Sequence, residues 1–202
     1  MTGYSDRINH ALAFAAKHHD QQVRRGTRPP YLTQPANLAI VLTRYGQDED
    51  VVVAGILLDV VRDYLREGFP AEALQSRIGE KFGTGALGIA VMASERRADD
   101  DGTEMSAAER RDDLLERLGA ASPEARFLAA AEALHAAGSL LADLTRTVDP
   151  QSVWGRVAGG REHALEALRR LHGRLSELGV DGGGAILGEL GATLGALSAA
   201  IR

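Results

Sequence analysis

Residues 51–61 read VVVAGILLDVV, eleven positions in which Asp59 is the only charged or polar side chain. A helix with no polar face must be buried nearly all round. The valines alone would also suit a buried strand, but the run passes into DYLRE without a turn signal, and that length favours a helix over 50–67. The same stretch poses the chemical question of the sequence. An isolated ionised carboxylate in such surroundings costs several kcal/mol unless it is paired or ligates a metal.

Outward from this segment the signals are helical in both directions. On the N-terminal side, Ser5 is an N-cap for a helix whose apolar positions Ile8, Ala11, Leu12, Ala15 and Ala16 fall on one face. The loop QQVRRGTRPPYLTQP follows, and Pro35 then starts a helix carrying Leu38, Val41, Leu42 and Tyr45, stopped by Gly46. On the C-terminal side, Pro70 opens a helix through Leu74 and Ile78 to Phe82, and Gly83 and Gly85 punctuate it before GALGIAVMAS. Ser106 and Glu109 form a capping box, Ser122 and Pro123 open a long helix, and REHALEALRRLHGRLSEL makes a further one after Asp149 and Pro150.

The tail differs in kind. A triple-glycine hinge precedes Leu187, Leu190, Leu194, Leu197 and Ile201, interleaved with Gly188, Gly191 and Gly195, and small residues at such spacing let helices approach closely. We expect residues 181–202 to form a hinge and a helix docked on the domain made by residues 1–180, with a homodimer contact as the alternative.

Bulk properties fit one all-α domain. The chain has 202 residues, 45% of them hydrophobic but only 4% aromatic, so the core is expected to be aliphatic and close-packed. A net charge of -5 argues against a nucleic-acid partner, which would need a surplus of Lys and Arg. With no cysteine, any metal would sit among His, Asp and Glu. The N-terminus does not resemble a signal peptide, and no segment reaches the roughly 20 apolar residues of a membrane span. A cytoplasmic protein without a membrane partner is therefore expected.

Six motifs in order carry a resemblance: ALAFAAKHHDQQVRRGTRPPYLTQP, VAGILLDVVRD, EKFG, ERRDDLLERL, AAAEALHAAGSL and VWGRVAGGRE. Over residues 7–178 the chain resembles the small alarmone hydrolases of the RelA/SpoT-homologue group in the HD superfamily. The resemblance implies a compact HD-type helical bundle, here extended by the Gly-rich C-terminal helix. It also implies Mn-dependent removal of the 3′-pyrophosphate from ppGpp or pppGpp.

Carried over position by position, the resemblance places Gln34, Leu58, Asp59 and Glu132 where the family has its metal ligands, with only Asp59 unchanged. The family's water-activating Glu-Asp pair becomes Arg62 and Asp63. Leucine has no lone pair to offer a transition metal, and a fixed cation at Arg62 cannot take a proton from metal-bound water. The remaining oxygen donors, Gln34, Asp59 and Glu132, suit weak Mg rather than Mn, and no bound metal is expected. Arg62, three residues after Asp59 on one helix face, either reaches that carboxylate or Glu132 and supplies the positive charge of the missing ion, or is a solvated surface arginine.

The resemblance further points to Arg24, Arg25, Thr27 and Tyr31 as contacts for a guanine nucleotide or other phosphorylated small molecule. His19 and His135 fall where the family has histidines outside its metal set. His10, His18, His163 and His172 form no recognisable ligand spacing, so no replacement metal site is expected. Asp99, Asp100 and Asp101 read as a solvated acidic loop. The leading functional expectation is a catalytically degenerate hydrolase-like protein. The alternatives are an altered phosphohydrolase using Asp63 or Glu132 as acid-base group, and a helical scaffold.

Overall fold

The structure is a computed structural model that describes residues 4–23, 30–157 and 159–200. The elements in order are α1 (Asp6–His18), α2 (Thr33–Arg44), α3 (Glu49–Arg66), α4 (Ala71–Leu74), a π-helical turn (Gln75–Gly79), α5 (Glu80–Phe82) and α6 (Thr84–Met92). They continue with α7 (Ala107–Arg117), α8 (Pro123–Arg146), α9 (Pro150–Trp154), α10 (Gly160–Leu178) and α11 (Gly184–Ala199). Among the described residues there is no strand, only the isolated bridges Val23 to Pro30 and Ala98 to Glu104. The fold class is all-α.

Helix α3 is the axis. Every residue from Val51 to Val61 except Asp59 is buried, because α1, α2, α6 and α8 pack around it. Each fully buried valine, leucine or isoleucine is worth about 1.5–3 kcal/mol over its exposed state, so this helix anchors the rest. Gly55 marks the closest approach: a Cβ there would lie 2.5 Å from Leu42 Cδ1 on α2 and 3.4 Å from Leu128 Cδ1 on α8.

Local signals set the helix ends. Ser5 accepts from the Ile8 N–H at 3.1 Å, Ser122 caps α8, and both hydrogen bonds of the Ser106–Glu109 capping box are present. Gly83 sits at φ +95° between α5 and α6, where the Arg7 guanidinium crosses to the Phe82 carbonyl and to Glu49 and Asp50. A side chain at Gly83 would meet both the backbone strain and Arg7.

Three sequence expectations need correction. The segment from Ala71 to Phe82 is interrupted by the π turn. Leu74, Ile78 and Phe82, four residues apart, are all buried on both sides of the wider turn, so the interruption does not break the apolar stripe. In α11 the buried face is Ile186, Leu190, Leu194 and Leu197, while Leu187 is only half-buried and Ile201 lies outside the described residues. Gly188 and Gly195 face open space, so these glycines do not mediate a close helix crossing; Gly191 alone approaches a neighbour, His172 on α10. α11 packs on α8 and α10.

The third correction concerns α8. Its 24 residues include an 18-residue apolar window of mean hydropathy 1.3, long and apolar enough to cross a membrane by length and composition alone. Half of that apolar window is buried inside the fold, where α8 contacts α2, α3, α6, α10 and α11. Its apolarity follows from this central position.

Candidate functional site

The charged residues in the second half of α3 gather on one stripe of the helix. Asp59, Arg62 and Asp63 are spaced three and four apart, hence on one face, and that face meets α8 at Glu132, the start of α2 at Gln34, and the end of α1. Around them Leu58 is 1% exposed and Tyr64 7%. The pocket thus has low-dielectric walls.

Arg62 spans its centre. One guanidinium nitrogen contacts Glu132 Oε1, the other donates to Glu132 Oε2 at 2.6 Å and to the Ala93 carbonyl at 3.2 Å. The first nitrogen also lies 3.6 Å from Asp59 Oδ1. Such a two-point pairing fixes both position and orientation of the guanidinium. Burial alone would disfavour the cation, but Glu132 and Asp59 more than compensate and hold it charged.

Asp59 accepts from Gln34 Nε2 at 2.9 Å, and its carboxyl is pushed above the usual carboxylate range by burial, against the pull of Arg62. Tyr31 faces the same carboxylate. Burial, followed by the negative charge of Asp59, holds its hydroxyl well above the ordinary phenol range, so Tyr31 stays a protonated donor.

The family's manganese does not fit this arrangement. Leu58, which the sequence resemblance sets at an imidazole ligand's position, presents only methyl groups inside the core. Gln34 turns its amide nitrogen to Asp59, and the Glu132 oxygens are taken by Arg62. An ion would have to displace a guanidinium and would find no nitrogen donor. The oxygen trio that would suit Mg is engaged in the same contacts.

Beside this pocket lies a cluster that sequence spacing did not disclose. His18 Nε2 is 3.1 Å from Asp63 Oδ2, across 45 residues of chain, and donor atoms of His18, His19 and Asp63 lie within 4.8 Å of one another. Folding α1 against α3 joins these residues with no sequence motif between them, which is why their spacing gave no ligand pattern. His10 packs on Phe82, and His172 bonds the Leu187 carbonyl at 3.1 Å, both within the helix packing. Asp99 closes its own loop by accepting from the N–H groups of Asp101 and Thr103, and Asp100 pairs with Arg96.

Tyr31 is the described member of the expected nucleotide contacts; Arg24, Arg25 and Thr27 lie outside the described residues. A second feature missed from sequence is an open cleft of about 550 Å³ between α2, α8 and α11. It begins at Thr33, beside Gln34, and at His135, one turn from Glu132, and its rim includes Arg44 and Arg146. Arg44 is engaged by Glu189. No sequence motif marks this cleft, because its walls come from three separated segments.

Comparison with known proteins agrees with the fold. A family description of the HD domain matches residues 11–153, more than half of the chain. The guanosine-3′,5′-bis(diphosphate) 3′-pyrophosphohydrolase of Aquifex aeolicus (strain VF5) is 31% identical over 78 residues, covering 39% of this chain and 11% of that protein. A probable GTP pyrophosphokinase of Mycobacterium leprae (strain TN) is 34% identical over 76 residues, covering 38% of this chain. The chain's matched part spans only 9% of that second relative. Among solved structures, a metazoan ortholog of SpoT, described as hydrolysing ppGpp, superposes with a TM-score of 0.70 at 20% identity, covering 96% of both chains. The crystal structure of lmo0812 from Listeria monocytogenes EGD-e gives 0.63 at 23% identity, covering 85% of this chain and 99% of that one. At these identities the structural likeness speaks for the fold.

Proposed function

The chain belongs to the HD-domain family, and from that premise we propose that it is a ppGpp-hydrolase-like protein that has lost the family's Mn-dependent chemistry. The observation that carries this reading is the Arg62 guanidinium, held between Glu132 and Asp59 where the resemblance places a metal ion. A fixed internal cation balances the carboxylates but can neither bind a water nor lower its pKa, so the nucleophile of metal-assisted hydrolysis is missing.

The altered-phosphohydrolase alternative draws less support from the geometry. Arg62 would be its electrophilic stabiliser, yet that guanidinium already serves Glu132, Asp59 and the Ala93 carbonyl. Retained binding of a guanine nucleotide or other phosphorylated small molecule is favoured by the open cleft flanking the pocket and by the Arg146 guanidinium on its rim. Purified protein incubated with ppGpp and Mn should release no pyrophosphate, while calorimetry with ppGpp should detect binding. Turnover that disappears in Asp59→Ala would overturn the loss of chemistry, and the absence of any heat would remove the nucleotide.

A further inference from the structure

Two side chains at the end of α1 are not accounted for by the Arg62 pocket. His19 is 4% exposed, its Nδ1 lies 3.0 Å from Gln22 Oε1, and its Nε2 is buried without a hydrogen-bond partner among the described residues. With Nδ1–H donating to the Gln22 amide oxygen, the tautomer is fixed and Nε2 carries an uncommitted lone pair. Buried polar atoms are nearly always paired, so an imidazole nitrogen left bare in this way calls for an explanation.

The neighbours of His19 supply one. One ring nitrogen of His18, one of His19 and a carboxylate oxygen of Asp63 lie within 4.8 Å of one another. Around a tetrahedral ion with bonds of about 2.0–2.2 Å, donor atoms sit roughly 3.4 Å apart, so modest side-chain rotations would close the trio on one centre. Two imidazoles and a carboxylate are a ligand set for zinc-type divalent ions, and three protein ligands leave the fourth position open. The surroundings of His19 are those of a ligating histidine. Gln22 holds the distal nitrogen of His19, the Tyr31 ring packs 4.4 Å from it, and the Tyr64 ring meets His18 edge-on at 5.3 Å. Asp63's other partner, Arg66, has a side chain 75% exposed and is free to swing away.

We propose that His18, His19 and Asp63 form a divalent transition-metal site one helical turn along α3 from Asp59. It is distinct from the position that the family resemblance assigns to a metal, since it shares none of Gln34, Leu58, Asp59 or Glu132. It goes beyond the proposed function and is independent of it: Arg62 closes one position, and the ion occupies the next.

The test uses the full chain, stripped with chelator and titrated with zinc by calorimetry and with cobalt by visible absorption. One equivalent of zinc should bind, cobalt should give the visible bands of a low-coordinate nitrogen-oxygen site, and the ring resonances of His18 and His19 should shift together in NMR spectra. Affinity should fall at least about tenfold in both His18→Ala and Asp63→Asn, and by less than that in Asp59→Asn, whose carboxylate acts on His19 only through its charge. His18 and Asp63 are partly exposed, and the histidine resonances of the unaltered protein report the site even where a variant folds poorly. No binding of either metal, a loss below tenfold in either ligand variant, or binding lost in Asp59→Asn and kept in His18→Ala would overturn the proposal. Any of these results would leave the pyrophosphate-release test of the Arg62 pocket standing.

Discussion

Arg62 on α3 and Glu132 on α8, 70 residues apart, meet through both guanidinium nitrogens and both carboxylate oxygens. Removing one partner leaves the other charge in a pocket where both side chains are about one-fifth to one-quarter exposed. Arg62→Ala should therefore cost about 3 kcal/mol in urea unfolding, the lower end of the range for broken buried pairs. The double variant Arg62→Met, Glu132→Met should recover most of that loss. A double variant as unstable as the single would show that hydrogen bonding to the Ala93 carbonyl, rather than charge pairing, dominates.

The pH dependence of Asp59 runs opposite to that of an ordinary paired carboxylate. Its proton is held more tightly in the folded than in the unfolded chain, because burial outweighs Arg62. Between the unfolded value of about 4 and the raised folded value, the folded state binds more protons, so this group's contribution falls as pH rises. Above the folded value the penalty is constant. Asp59→Asn should match the unaltered protein at pH 4 or below, gain on it through that window, and hold a constant advantage to pH 7. Melting temperatures of the two proteins across pH measure the difference, which cancels the opposite trend from Asp113 and Glu49, whose carboxyls are held low.

If the ancestral position is closed by a few side chains, it should reopen when they change together. Gln34→His, Leu58→His, Arg62→Glu and Glu132→Asp combined should create Mn binding at Asp59, whereas Leu58→His alone should not, because Arg62 still occupies the space. Electron paramagnetic resonance of added Mn distinguishes the two. Bound Mn in the single variant would mean that Leu58, not Arg62, is the barrier.

The fold and the site differ in how far the sequence discloses them. Caps such as Ser106 with Glu109 are local, so three residues of spacing suffice to place them. The apolar run 51–61 demands burial whatever surrounds it, and the proximity of Asp59 to Arg62 follows from helical spacing. His18 and Asp63 share no such rule: α1 and α3 are joined by packing, and the meeting of their ends depends on the crossing geometry. The tail shows the converse error. Glycines at helical intervals suggest a close crossing, but which face turns inward is decided by Ile186, Leu190, Leu194 and Leu197, leaving Gly188 and Gly195 outside.

That inward face makes α11 a structural part of the bundle. Leu190 is fully buried and belongs to the same core as α3. Leu190→Ala should destabilise the chain by about 2–4 kcal/mol, the cost of lost burial plus the cavity left behind. Gly188→Ala, on the exposed side, should instead stabilise by up to about 1 kcal/mol through helix propensity. Chemical denaturation of the two variants would separate a docked helix from an appended one. A mild effect from Leu190→Ala with no change in cooperativity would place α11 outside the folding unit.

The tightest helix crossing gives the sharpest packing prediction. Gly55→Ala gains about 1 kcal/mol of helix propensity, but its Cβ would lie 2.5 Å from Leu42 Cδ1 and 3.4 Å from Leu38 Cγ and Leu128 Cδ1. Leu42 must change rotamer inside a core where Leu38 and Leu128 are also buried, and overpacking of that kind costs about 1–3 kcal/mol. The net expectation is a loss of about 1 kcal/mol, read from the urea midpoint. Pairing it with Leu42→Val, which trims the side chain at the collision, should return part of the loss even though Leu42→Val alone is destabilising. If the two effects simply add, α2 and α3 are spaced more widely at Gly55 than the structure places them.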